Sequence, residues 1–514
     1  MIREVKTENG IVRGIEAADP RYTAFKGIPF AAPPVGKNRW RAPQPCENWD
    51  GVRECYRFAP ISIQNTPGVG TDIYCREWHV DPDIDMDEDC LYLNVWTGAK
   101  SPDEKLPVVV WIFGGAFQWG YPAEMEFDGE RIARRGIVVV TVNYRLNLFG
   151  FLAHPELTAA QPDAPTNFGL LDQQAGLRWV KRNIAAFGGD PDNITIAGQS
   201  AGGGSVMAQL TNPANEGYFK NAIVQSGIIE NPYDHSGFCT VPMDLAEQNG
   251  KRFLQSLGVD SIDEARKIPA RELLAKYDEF VPGFELFCSL EKPHRMFPVI
   301  DNKFCFGNAY DEYLAGRHVK ARLLTGNTED EFPAYMIADS EAELEEKARA
   351  RFGDRADEFL AFDEAHRKTG DNLYAFVSSI ESSVKKLALS AEERGEDPVY
   401  YYRFKPDIPG EDDPGTFHSC ELWFFFETLA KCSRPYVGRH YDLARQMCDY
   451  WCNFIKNGDP NGVGTDGNEL PKWLPYTKAG RDGMSFASKG ATPQHGETEF
   501  MRFLVNQKME NELK

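Results

Sequence analysis

The run Ile194-Thr195-Ile196-Ala197-Gly198-Gln199-Ser200-Ala201-Gly202-Gly203-Gly204 sets a serine between glycines two residues away on either side, directly after an apolar stretch. G-x-S-x-G in that context describes a sharp strand-to-helix turn that exposes a serine hydroxyl, with small neighbours because a side chain would collide with the flanking strand and helix. The chemistry it suits is nucleophilic acyl transfer, in which the hydroxyl attacks a carbonyl carbon and negative charge grows on the carbonyl oxygen. A second segment offers what that charge needs. Val108-Val109-Val110-Trp111-Ile112-Phe113-Gly114-Gly115-Ala116-Phe117 is an apolar strand entering a turn of small residues. The backbone N–H groups of Gly115 and Ala116, joined by that of Ala201, form a candidate oxyanion hole.

Serine attack requires a base, and behind a turn of this kind the partners follow in the order serine, acid, histidine. The histidines after Ser200 are His235, His294, His318, His366, His418, His440 and His495. His418 stands apart, because Pro414-Gly415-Thr416-Phe417-His418-Ser419 puts it in a turn-forming loop beyond a strand ending near Phe404. Loops beyond strand ends are where such sheets carry their functional groups. Among acids, Glu329-Asp330-Glu331 follows the strand-like Leu323-Leu324-Thr325, and spacing does not choose between Asp330 and Glu331. Phe117, Trp119, Phe332, Trp423 and Phe424 flank these segments and are candidates for an apolar substrate pocket, although core packing accounts for each of them equally well.

The elements that must position these groups follow from periodicity. Short β-branched runs at residues 108–113, 137–142, 194–197 and 222–225 read as buried strands, with later ones at 323–325 and 399–404. Helical stretches such as 170–187 lie between them, and this alternation predicts an α/β fold with a mainly parallel central sheet covered by helices on both faces. From about residue 340 to 395 the composition turns charged, opening with the helix-start pattern Ser340-Glu341-Ala342-Glu343, which predicts a helical insertion. With no internal repeat or low-complexity linker, residues 1–514 are expected to form one catalytic domain containing that insertion.

Composition narrows the partners. The formal net charge is -21, from 77 acidic against 56 basic residues, which disfavours nucleic acid and anionic lipid surfaces. No run reaches the roughly 18 apolar residues of a membrane span, and Met1-Ile2-Arg3-Glu4-Val5-Lys6 lacks the apolar core of a signal peptide. A cytoplasmic location is the expectation. The 11 cysteines are scattered without a paired zinc-ligand pattern and are expected to be mostly buried thiols, with Cys448 and Cys452 on one face of a helix. No pattern implies a metal or a cofactor.

With these residues in view, the chain resembles the type-B carboxylesterase family nearly end to end. The resemblance rests on the serine turn and on Phe25-Lys26-Gly27-Ile28-Pro29-Phe30-Ala31, Glu88-Asp89-Cys90-Leu91-Tyr92-Leu93-Asn94-Val95 and Asn143-Tyr144-Arg145. It continues through Phe187-Gly188-Gly189-Asp190-Pro191, Phe297-Pro298-Val299-Ile300-Asp301, Gly458-Asp459-Pro460-Asn461 and Trp473-Leu474-Pro475-Tyr476. It implies an α/β-hydrolase fold with helical cap regions and a serine hydrolase of small carboxylic esters that needs no cofactor. The family's acid pattern, G-x-x-x-D-E-G, falls on Gly326-Asn327-Thr328-Glu329-Asp330-Glu331 and implies Glu331. Its histidine pattern, G-x-x-H-x-x-E-L, falls on Gly415-Thr416-Phe417-His418-Ser419-Cys420-Glu421-Leu422. Ser226, in Gln225-Ser226-Gly227, resembles the family serine that helps hold the acid.

Three positions depart from the pattern. Phe332 replaces the glycine after the acid, adding an aromatic wall. Gln199 stands where cholinesterases carry a glutamate, which makes cationic choline esters poorer candidates. Ser62 stands where secreted relatives carry the disulfide partner of the cysteine matching Cys90, and its presence suits an intracellular, microbial protein. Within the same resemblance, an inactive adhesion homologue would have lost the nucleophile, whereas an amidase or thioesterase would share the whole triad.

Overall fold

A computed structural model describes residues 1–233, 240–283 and 292–512. Its centre is an eleven-stranded sheet. In chain order the strands are β1 (Ile15–Glu16), β2 (Thr23–Pro29), β3 (Tyr92–Thr97), β4 (Leu106–Ile112), β5 (Val138–Val142), β6 (Gly189–Gln199), β7 (Asn221–Gln225) and β8 (Arg322–Thr328). After β9 (Pro333–Ala338), β10 (Lys368–Thr369) and β11 (Asn372–Ser378), which form a separate small sheet, come β12 (Tyr400–Lys405), β13 (Gly483–Ala487) and β14 (Gly490–Gln494). Across the large sheet the order is β14-β13-β12-β8-β7-β6-β4-β5-β3-β2-β1. The strands from β13 to β5 run parallel, and antiparallel pairs close both edges.

The sequence dictates this burial. Every residue of β5 and β7 is buried, with no alternation of apolar and polar positions, as expected for central strands covered on both faces. Helix α1 (Phe168–Asn183) is one cover, with Leu170, Leu177, Trp179 and Val180 turned to the core. Helix α2 (Ala201–Leu210) leaves the end of β6 and is buried along nearly its whole length. The order of the strands puts β6 between β4 and β7, so the loops after β4, β6, β7 and β8 emerge side by side at one edge.

The stretch from 340 to 395 is only partly helical, which corrects the expectation of a helical insertion. It holds α3 (Glu341–Phe352), capped by the Ser340 hydroxyl, which accepts from the Glu343 N–H at 3.3 Å. The Glu343 carboxylate accepts from the Asp339 N–H at 2.8 Å, one residue before the cap. After a short helix (Ala356–Leu360), β10 and β11 form a hairpin, and β11 pairs antiparallel with β9. Alternation explains them: Ala334, Met336 and Ala338 on β9 and Leu373, Ala375 and Val377 on β11 are buried, while Tyr335, Ile337 and Phe376 face outward. Helix α4 (Glu381–Glu393) then returns the chain to β12.

Six of the nine described cysteines are buried. Cys448 and Cys452 lie on one face of helix Gly438–Asn457 with their sulfurs 3.9 Å apart.

Candidate active site

Ser200 sits at the junction of β6 and α2 with φ 57° and ψ -125°, a conformation a non-glycine residue holds only when its surroundings impose it. Those surroundings are the two motif glycines. A Cβ on Gly198 would fall 2.4 Å from the Gly202 backbone, and one on Gly202 would fall 2.1 Å from the Ile112 carbonyl oxygen, so both positions are closed to any side chain. The Ser200 N–H donates to the Gln225 carbonyl at 2.9 Å, tying the turn to the end of β7.

Beside it, Gly115, Ala116 and Phe117 form three successive left-handed residues, with φ of 104°, 53° and 59°. The loop lies against the serine turn, where a Cβ on Gly114 would fall 3.1 Å from the Ser200 Cβ. Ala201, as the first residue of α2, has an N–H that no helical carbonyl can take. Among the described residues, the N–H groups of Gly115, Ala116 and Ala201 have no acceptor. Three such donors, one of them at a helix start, suit a developing oxyanion.

The histidine and the acid arrive on two loops that are fastened together. His418 Nδ1 and Glu331 Oε2 are 2.6 Å apart, and both side chains are buried. Asp330 points elsewhere: its carboxylate accepts from the Thr416 N–H at 2.7 Å and the Thr416 hydroxyl at 3.0 Å, while its own N–H donates to the Thr416 carbonyl. The geometry thus gives the two acids different partners. Glu331 faces the imidazole, and Asp330 holds the loop that carries it.

The electrostatics follow from this enclosure. Burial opposes charge on the His418 ring, but the Glu331 carboxylate outweighs it, and the histidine pKa is raised above its ordinary value. Burial likewise opposes charge on Glu331, and His418, Ser226 and the Thr328 N–H together reverse the balance and lower its pKa. Behind them lies a group that sequence reading assigned no role. Glu421 is completely buried, accepts from the Ser226 hydroxyl at 3.4 Å, and leaves its other oxygen without a partner among the described residues. Burial, with the nearby Glu331 charge, pushes its pKa up to about 8. Glu421 was visible only as the seventh residue of the histidine pattern, and nothing in its neighbours signalled burial.

Gln199 is buried, and its Nε2 lies 3.3 Å from His418 Nε2. With the Nδ1 proton directed at Glu331, the neutral ring accepts through Nε2, so the Gln199 amide donates to the nitrogen that a general base would use. The other histidines have separate duties. His318 stacks on Tyr313, His366 meets Glu341, His440 stands at a helix start and His495 pairs with Asp482. His294 binds a backbone carbonyl, and His235 lies outside the described residues.

The aromatic candidates divide. Phe332 lies on His418 with ring centroids 4.5 Å apart, and Phe117 follows directly on the oxyanion loop. Trp119 donates to the Asn65 side chain at 3.2 Å. Trp423 and Phe424 belong to the core: both are fully buried on the short helix Leu422–Phe425, Trp423 near Trp78 and Phe424 against Phe404 and Tyr436. The structure therefore corrects their assignment to the pocket. A contact with no forewarning in the sequence is Tyr74, whose hydroxyl donates to the His418 carbonyl at 3.1 Å while its ring and that of Trp78 pack on Phe417.

A mainly parallel sheet with helices on both faces, and a serine turn, an acid and a histidine brought to one edge in that chain order, define an α/β-hydrolase. The chain belongs to the carboxylesterase family, whose model matches residues 2–504, and is a carboxylic ester hydrolase. It is 33% identical to the fumonisin B1 esterase of Sphingopyxis macrogoltabida over 88% of this chain and 82% of that one. It is 32% identical to the para-nitrobenzyl esterase of Bacillus subtilis strain 168, over 96% of this chain and 97% of the other. Among solved structures, a PNB esterase superposes with a TM-score of 0.75 at 30% identity, covering 98% of this chain and 100% of that one. The Geobacillus stearothermophilus carboxylesterase EST55 gives 0.74 at 29% identity, over 98% and 100%.

Proposed function

We propose that the enzyme hydrolyses uncharged carboxylic esters through an acyl-enzyme on Ser200, with His418 as general base and then general acid, and Glu331 as the carboxylate that orients it. The observation that carries this reading is the 2.6 Å contact between His418 Nδ1 and Glu331 Oε2, in a ring whose other nitrogen faces the serine turn beside Gln199. His418 takes the Ser200 proton as Oγ attacks the ester carbonyl, and the N–H groups of Gly115, Ala116 and Ala201 bind the oxyanion. One such donor is typically worth about 3 kcal/mol to the transition state. The imidazolium returns its proton to the departing alcohol, and water repeats the sequence to release the acid. Ser226, between the Glu331 and Glu421 carboxylates, helps hold the acid in place.

The substrate is a small neutral ester, because the residue beside the nucleophile is an amide, Glu331 is engaged by His418, and burial keeps Glu421 uncharged at neutral pH. A cytoplasmic location and a bacterial source belong to the same reading, the source supported by the Sphingopyxis and Bacillus relatives. The test is covalent labelling: inhibition by an organophosphate followed by mass spectrometry is expected to place the adduct on Ser200. An adduct on any other residue would reject Ser200 as the nucleophile.

A further inference from the structure

The peptide that joins His418 to Ser419 is held in an unusual bend. Ser419 has φ 82°, in the left-handed region that a non-glycine residue keeps only under constraint. That rotation sets the direction of the His418 carbonyl. The carbonyl oxygen accepts from the Tyr74 hydroxyl at 3.1 Å and meets no other donor among the described residues. Burial, with the Glu331 charge nearby, raises the Tyr74 phenol pKa further above its ordinary value, so the hydroxyl keeps its proton and stays a donor wherever His418 titrates.

Tyr74 is itself anchored. It lies on the short helix Ile73–Glu77, whose start is capped by Asp72, the carboxylate accepting from the Tyr74 N–H at 2.9 Å and the Cys75 N–H at 3.1 Å. At the other end Glu77 is buried, and its Oε1 accepts from Arg434 Nε at 2.6 Å. Arg434 also donates to the Asp412 carboxylate and the Pro409 carbonyl, each at 2.9 Å. Its guanidinium stands 5.6 Å from the centre of the Phe417 ring, on the residue before His418. Trp78 meets the same ring edge-on at 5.5 Å and Tyr74 does so at 6.4 Å. Phe417 is thus caged by two aromatic side chains of one segment and by the arginine that holds this segment down. Asp330 fastens Thr416 ahead of His418, and Tyr74 fastens the peptide directly after it.

We infer that Tyr74 is a positioning residue for His418: its hydroxyl holds the His418–Ser419 peptide in the bend that keeps Nδ1 on Glu331 and Nε2 toward the serine turn. The inference rests on His418 being the general base. Without the hydroxyl the carbonyl has no donor to hold it against the strained rotation at Ser419, and the peptide relaxes. The ring then spends less time at its 2.6 Å contact with Glu331. Because Tyr74 acts through the backbone of His418, the loss falls on the rate of acylation and not on ester binding.

The test is Tyr74→Phe, which removes the hydroxyl and keeps the ring on Phe417. With para-nitrophenyl butyrate, and with competent Ser200 counted by organophosphate titration, kcat should fall about tenfold while KM stays within about twofold. The half-maximum of kcat/KM should move down by about half a pH unit, because a looser Glu331 contact stabilises the imidazolium less. Glu421, the other acid facing His418, is uncharged near neutral pH and is the same in both proteins. The low-field proton resonance of His418 Nδ1–H should shift upfield or lose intensity. A tyrosine that only supports the fold would lower the melting temperature and leave the pH midpoint and that resonance unchanged; this result, or a change confined to KM, overturns the inference. If Tyr74→Phe does not fold, Glu77→Gln, which loosens the same helix at Arg434, decides by the same midpoint and resonance. Failure of the unmodified enzyme to cleave the ester, or an organophosphate adduct away from Ser200, would instead reject the reading on which the inference rests.

Discussion

Replacing Glu421 by Gln should stabilise the protein above about pH 5, by an amount that grows until about pH 8. An acid whose pKa is raised on folding holds its proton in the native state at pH values where the unfolded chain has already lost it. The unfolded chain then binds fewer protons than the folded one, and stability falls as pH rises from the unfolded value to the folded value. For Glu421 that window runs from 4.5 to about 8. At about 1.4 kcal/mol per unit, the loss across it is at most about 5 kcal/mol, and relaxation around the charge reduces it to about 2 to 5. Glutamine has the shape of the neutral carboxyl and no charge to desolvate, so Glu421→Gln escapes the penalty. Urea unfolding at pH 5.0 and 8.5 measures it. The variant should match the parent within about 1 kcal/mol at pH 5.0 and exceed it by about 2 kcal/mol or more at pH 8.5. An equal difference at the two pH values, or a variant weaker than the parent at pH 8.5, would show that Glu421 is ionised and usefully paired in the native state, and the argument from burial would fall.

Glu331→Gln should lower kcat by about three to four orders of magnitude, while Asp330→Asn, which keeps an oxygen for Thr416, should cost about tenfold or less; the reverse ranking in folded variants would make Asp330 the triad acid. Because the His418 pKa is raised and the base must be neutral, kcat/KM should rise with pH to a half-maximum above pH 6.5, and Glu331→Gln should move that point down; a half-maximum below 6.5 in the parent contradicts the pairing. Butyrylcholine should gain no more than about fiftyfold in kcat/KM over its neutral 3,3-dimethylbutyl isostere, since an amide at position 199 forgoes the roughly 1 to 3 kcal/mol that a carboxylate would give a cation. Gln199→Glu should raise that ratio, and a parent ratio already above fiftyfold would remove Gln199 as the cause.

Much of the architecture was legible because its signals are local. The strand before Ser200 and the small residues after Ile112 declare their geometry in consecutive positions, and the central strands betray full burial by unbroken β-branched runs. The choice between Asp330 and Glu331 was not local. Adjacent side chains at a strand end point in different directions, and which direction meets His418 depends on a residue 87 positions further on, so only resemblance singled out Glu331. The hairpin of β10 and β11 was hidden by charged residues around it, although Leu373, Ala375 and Val377 alternate as a half-buried strand should. Trp423 and Phe424 show the converse limit: an aromatic next to a functional loop carries no mark of whether it faces substrate or core. Tyr74 reaches His418 through a hydroxyl bonded across 344 positions of the chain, a contact no spacing rule could suggest.

The bond between Asp330 and Thr416 has a consequence for how this gene tolerates recombination. Two segments far apart in the chain are fastened by three hydrogen bonds, and a Cβ on Gly415 would lie 2.6 Å from the Asp330 carboxylate. A crossover with a homologue anywhere between positions 330 and 415 would join one parent's acid loop to the other's histidine loop, leaving the fit between them to chance. Exchanges that begin and end outside that interval carry both loops from the same parent. Active chimeras should therefore inherit the interval as a block.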